Sequence, residues 1–136
     1  MALEFTVSAS IPASSVSVYE AWLDSAQHSA MTGGEARVSA QVGAEFTAWD
    51  GYIQGRNLEL QAGKKIVQAW RSTEFAPGEP DSRLEVNFES VGEETRLTIF
   101  HSNLPSHGMQ YQQGWVEAYF EPMQAYFNEQ GREAPG

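Results

Sequence analysis

The chain has 136 residues, 41% of them apolar and 19% charged, which suits one globular domain large enough to bury a core without staples. Its formal charge of −10 and pI near 4.6 oppose phosphate backbones and anionic membranes, and its eight Lys and Arg residues are scattered along the sequence, so neither nucleic acid nor a membrane is an expected partner. With no cysteine there is no disulfide, zinc thiolate or thiol nucleophile, and without a membrane-length apolar run or a signal-peptide pattern the expected location is cytoplasmic.

Residues 4–11 alternate, with Phe5, Val7, Ala9 and Ile11 on one face of a half-buried strand. Ser14 is placed to N-cap a short helix whose apolar face combines Val16, Val18, Tyr19, Trp22 and Leu23. A second short helix is predicted over "DSAQHSAMTGG", stopping at Gly33-Gly34. Turn signals then recur at Val42-Gly43, Asp50-Gly51, Ala62-Gly63, residues 76–80 and Val91-Gly92. The runs between them alternate with period two, the pattern of an antiparallel meander of about six strands. Leu84, Val86 and Phe88 share one inward face; Leu97, Ile99 and His101 share the next. Gly55 is expected to mark a bulge and Asp50-Gly51 a hairpin turn. Pro105-Ser106 opens a long final helix that is expected to end near Gly131, leaving residues 131–136 as a frayed tail.

That final helix carries Tyr111, Trp115, Tyr119, Met123 and Tyr126 about one turn apart, with Phe120 and Phe127 beside them. Yet it contains Gly114 and Pro122, two poor helix formers. Pro122 lacks the amide that would bond to the Ala118 carbonyl, which predicts a kink there. Gly114 is read as a point of close approach by another segment. A curved sheet wrapped on one bent helix leaves room between them, so the wall residues expected for a cavity are Phe46, Trp70, Val86, Ile99, His101, Trp115, Tyr119 and Met123. The same residues are core by default, and a cavity wall is also core. His101 could serve as an acid or base, or merely satisfy a backbone carbonyl; His28 and His107 are read as surface residues. No histidine pair has metal-ligand spacing, so neither a metal nor a cofactor is expected, and there is no serine elbow, phosphate loop or dinucleotide fingerprint.

The fragments "IPASSVSVYEAWLD", "VGAEFTAWDGYIQGRNLELQAGKKIVQAWRS", "DSRLEVNFE", "RLTIFHSNLP" and "QYQQGWVEAYFEPMQAYF", in this order, resemble the domain shared by the activators of heat-shock-protein-90 ATPase. The resemblance spans about Phe5 to Phe127 and implies the START-like, birch-pollen-allergen-like helix-grip fold. That is an α+β domain over residues 1–130, with a curved antiparallel sheet of about seven strands wrapped on a long C-terminal helix and two short helices between strands 1 and 2. It also implies a non-enzymatic role: binding of a small hydrophobic ligand between sheet and helix, or a stress- or chaperone-related regulator acting on a heat-shock-protein-90-type chaperone. Two alternatives stand beside this, a surface-mediated co-chaperone without ligand and a cyclase- or hydrolase-like enzyme using His101. A monomer and a homodimer are both compatible with the sequence.

Overall fold

A computed structural model of the chain describes residues 3–133. Six strands form one antiparallel sheet: β1 (Leu3–Ile11), β2 (Glu45–Ala48), β3 (Ile53–Gln61), β4 (Lys65–Ser72), β5 (Ser82–Val91) and β6 (Glu94–Leu104). Their spatial order is β1-β6-β5-β4-β3-β2. β2 to β6 therefore run as a meander of neighbours, and β1 closes the far side against β6, leaving β1 and β2 as edges. Two helices, α1 (Ser15–Trp22) and α2 (Ser25–Thr32), connect β1 to β2.

The alternation read from the sequence sets the register. Val86 lies between Ile66 and Ile99, and Leu84 between Gln68 and His101, so a continuous row of inward side chains crosses the sheet. Ile66, Val86, Leu97 and Ile99 are fully buried there, each contributing about 1.5–3 kcal/mol of hydrophobic stabilisation. Ser14 caps α1 as expected, its hydroxyl accepting the Ser17 N–H at 3.2 Å, and Asp24 caps α2 through the Gln27 N–H at 2.9 Å. Gly33, in the left-handed region at φ 89°, ends α2 where the sequence places its stop. Val16, expected on the buried face of α1, is instead exposed.

The expected seventh strand does not form. Between α2 and β2 only Arg37 pairs, in an isolated bridge to Thr47. The Asn57 side-chain amide takes the Ser39 and Gln41 carbonyls at 2.9 and 3.0 Å, satisfying backbone groups that a ladder would otherwise claim. The bulge on β3 falls between Asn57 and Glu59 rather than at Gly55. Gly55 pairs regularly with Phe46 and Trp70, and its need for glycine is steric: a Cβ there would lie 1.8 Å from the Ala69 carbonyl oxygen.

The final helix crosses the concave face of the sheet. It begins at Gln110, after a turn over residues 105–109, rather than at Pro105. It runs as α3 (Gln110–Trp115), a π-helical turn (Val116–Phe120) and α4 (Glu121–Glu133). Residues 134–136 of the expected tail lie outside the described residues. Where the sequence predicts a kink before Pro122, the backbone widens: the Glu121 N–H bonds to the Val116 carbonyl, five residues back. A π turn accommodates the donor that proline lacks and relieves its ring of the Ala118 carbonyl. Among the described residues, no helix is long and apolar enough to cross a membrane.

Candidate functional site

A cavity of about 380 Å³ lies between the final helix and the inner ends of β3 and β4. Its helix side is a stripe that includes Tyr111, Trp115, Ala118 and Tyr119, presented by α3 and the π turn. Its sheet side includes Ile53 and Trp70, and the turn from β2 to β3 adds Trp49 and Tyr52. Gly114 and Gln110 complete the wall. A Cβ on Gly114 would meet nothing within 4 Å, so this glycine leaves space open instead of admitting another segment closely.

Buried hydrogen bonds hold the walls in place. Trp115 Nε1–H, which can only donate, points at His101 Nδ1 at 3.1 Å. Nδ1 must therefore accept, the proton sits on Nε2, and Nε2–H donates to Ser82 Oγ at 2.7 Å. The Ser82 hydroxyl then donates to the Trp70 carbonyl at 2.8 Å. One relay thus fixes the helix wall to the β4 wall through a neutral imidazole. Burial pushes the His101 pKa down from 6.5 to about 3, because the core strips the imidazolium of its hydration. His101 is fully buried, has both nitrogens occupied and does not line the cavity.

A second relay seats Tyr119. His28, read from the sequence as a surface residue, is buried. Its Nδ1–H donates to the Trp22 carbonyl and its Nε2 accepts the Tyr119 hydroxyl, both at 2.8 Å. The Tyr119 ring stacks on Trp22, centroids 5.0 Å apart. Burial lowers the His28 pKa and raises that of Tyr119. Behind Tyr111 and Tyr52, the Tyr111 and Ser72 hydroxyls bond at 2.5 Å, Ser72 Oγ accepts the Glu74 N–H, and the Tyr52 hydroxyl donates to the Glu74 carboxylate. Burial and then that carboxylate push the Tyr52 pKa up to about 12.

Trp49 is the strained wall. It and Asp50 have φ of 51° and 59°, in a region that bulky side chains seldom enter. Asp50 pays back part of that cost by bonding the Glu35 backbone twice, at 3.0 and 3.1 Å. Gly34 makes room for the ring, since a Cβ there would lie 2.5 Å from Trp49 Cε3. Among the described residues, Trp49 Nε1 is the one buried side-chain polar atom without a partner.

Of the eight wall residues expected from the sequence, Trp70, Trp115 and Tyr119 line the cavity. Phe46, Val86, Ile99, His101 and Met123 are buried in the core without lining it. Tyr111 was visible in the aromatic stripe of the final helix. Trp49 and Tyr52 carried only the turn signal between them, and nothing in the local pattern aimed their rings inward. A second depression, of about 530 Å³, is more polar. On it Arg37, Arg56 and Arg71 sit within 4 Å of Glu35, Glu45 and Asp81 respectively. Among the described residues, no group of three or more His, Asp or Glu side chains is arranged to hold a metal ion.

Comparison with known proteins places this geometry among relatives. The sequence model of the family described as "Activator of Hsp90 ATPase homolog 1-like protein" matches residues 12–128. A Dictyostelium discoideum protein named as an activator of 90 kDa heat shock protein ATPase homolog is 27% identical over 104 residues, covering 75% of this chain but 27% of its own length. The chain thus spans about a quarter of that relative. The crystal structure of an HSP90 activator from Plasmodium falciparum superposes with a TM-score of 0.83 at 22% identity, covering 93% of this chain and 96% of that one. The solution structure of an Aha1 dimer from Colwellia psychrerythraea gives 0.76 at 14% identity, covering 92% and 96%. At these identities the two structures establish the shared fold.

Proposed function

This chain belongs to the family of Activator of Hsp90 ATPase homolog 1-like proteins, and we propose that it is a binding domain, not an enzyme, whose aromatic cavity takes a small hydrophobic ligand. The observation that carries this reading is a cavity of about 380 Å³ with mostly aromatic walls, held apart by buried hydrogen-bond relays instead of collapsing. The arrangement of His101 favours positioning over proton transfer, since moving its proton would break the relay that holds Trp115. Native mass spectrometry of freshly purified protein, compared with the denatured mass, tests the reading alongside uptake of the uncharged fluorescent probe phenylnaphthylamine. A ligand mass lost on denaturation, or saturable uptake at one site, is expected. A clean mass together with no uptake would overturn it.

The family match supports a second reading, contact with a heat-shock-protein-90-type chaperone through the acidic surface. It requires saturable stimulation of the chaperone's ATPase that weakens as salt rises, because exposed charges are screened beyond roughly 8 Å at physiological ionic strength. Absence of stimulation at low salt would remove it.

A further inference from the structure

We infer that the cavity selects a small organic cation, an amine or quaternary ammonium group carried on an apolar body. The inference rests on the ligand-site reading above and adds the sign of the ligand's charge. Six rings surround the space: Trp49, Tyr52, Trp70, Tyr111, Trp115 and Tyr119. No charged side chain lines it among the described residues, so a carboxylate or phosphate would lose its hydration there and gain no counter-charge.

Hydrogen bonding offers limited anchorage to a neutral polar ligand, because all but one of the polar side chains of the walls already have a partner. The Trp115 N–H is spent on His101, and the Tyr119 hydroxyl on His28. The hydroxyls of Tyr111 and Tyr52 are held by Ser72 and Glu74, the Gln110 amide reaches His107, and among the described residues the Trp49 N–H is the one buried side-chain donor left without a partner. Beyond that single donor, what six aromatic walls offer is the negative potential of their π-systems, which attracts cations. Two further features reinforce it. The Tyr52 hydroxyl donates to Glu74, so a carboxylate backs that wall residue and enriches its ring. The formal charge of −10 draws cations toward the whole surface.

The test uses three probes of one shape in isothermal titration calorimetry near neutral pH. These are para-hydroxyphenyltrimethylammonium, its uncharged carbon isostere para-tert-butylphenol, and the anion para-tert-butylbenzoate. The cation is expected to bind at least about fivefold more tightly than the isostere, and the benzoate not measurably. Tyr52→Leu removes one exposed ring and should weaken the cation by a larger factor than the isostere, eroding the cation's advantage; Glu74→Gln should act in the same direction. Phosphatidylcholine vesicles that displaced the cation would identify a lipid head group as its source; failure to displace identifies a free ligand. Equal or tighter binding of para-tert-butylphenol would overturn the charge preference and leave the cavity reading standing. If none of the three bound, both readings would fall.

Discussion

Gly114 offers the sharpest test of the cavity, because stability and binding should move in opposite directions there. It lies within α3, lines the cavity and has no heavy atom within 4 Å of where a Cβ would stand. Glycine in a helix costs about 1 kcal/mol relative to alanine, partly through the larger freedom of the unfolded chain. With no clash to offset that gain, Gly114→Ala is expected to stabilise the protein by about 0.5–1 kcal/mol, raising Tm by roughly 2–5 °C for a domain of this size. Gly114→Leu should keep most of that gain and narrow the cavity from its helix side, weakening phenylnaphthylamine uptake. Urea unfolding followed by tryptophan fluorescence measures the first effect, and probe titration the second. A Gly114→Ala variant destabilised by about 1 kcal/mol or more would show that another segment packs on this position, and the open-wall reasoning would be wrong. A Gly114→Leu variant that bound the probe with undiminished affinity would place the ligand elsewhere.

The neutral His101 predicts a stability that depends on pH. Its folded pKa lies below the ordinary 6.5, so its stabilisation is complete above that value and is lost as pH falls from 6.5 toward about 3. At about pH 5 this one group should cost about 2 kcal/mol relative to about pH 8. His28, lowered by burial, adds loss of the same sign, and equal urea midpoints at those two pH values would contradict the neutral, buried state of these histidines. Gly55→Ala should behave oppositely to Gly114→Ala. Its Cβ would strike the Ala69 carbonyl oxygen and come within 2.7 Å of the Phe46 ring, so a loss of about 3 kcal/mol or failure to fold is expected. A variant with near-native urea stability would show that β3 and β4 can separate there freely.

The meander and the two capped helices were legible in the sequence because local chemistry decides them: alternation in "RLEVNFE" and "RLTIFHS", Ser14 at one helix start, Gly33 at the next stop. Contacts between distant segments decide what was missed. Residues 35–42 alternate well enough for a strand, but a side chain from Asn57 captures their carbonyls. His28 looks like a polar residue on a short polar helix until Tyr119, far along the chain, supplies its second partner. Periodicity also identifies which face of a strand points inward, without saying how far along that face the packing stays closed. Val86 and Ile99 share the inward face with Trp70, yet they are sealed within the core while Trp70 opens on the cavity. Trp49 was the least legible wall. The Asp50-Gly51 pair announces a turn, but the positive φ begins one residue earlier, on the tryptophan itself.

The π turn has a geometric consequence for the whole final helix. Five of its buried residues, Tyr111, Trp115, Tyr119, Met123 and Phe127, recur at strict intervals of four, with Phe120 beside them. In an α-helix of 3.6 residues per turn each such step overshoots a revolution by about 40°. Four steps would drift by about 160°, carrying Phe127 to nearly the opposite side from Tyr111. The wider turn over Val116–Phe120 winds back part of that rotation midway. The helix can thereby keep one flank on the sheet beyond Pro122 while its first turns wall the cavity. Pro122 thus acts as a phase corrector, and the angle it helps recover is what allows one helix both to close the core and to leave a space beside it.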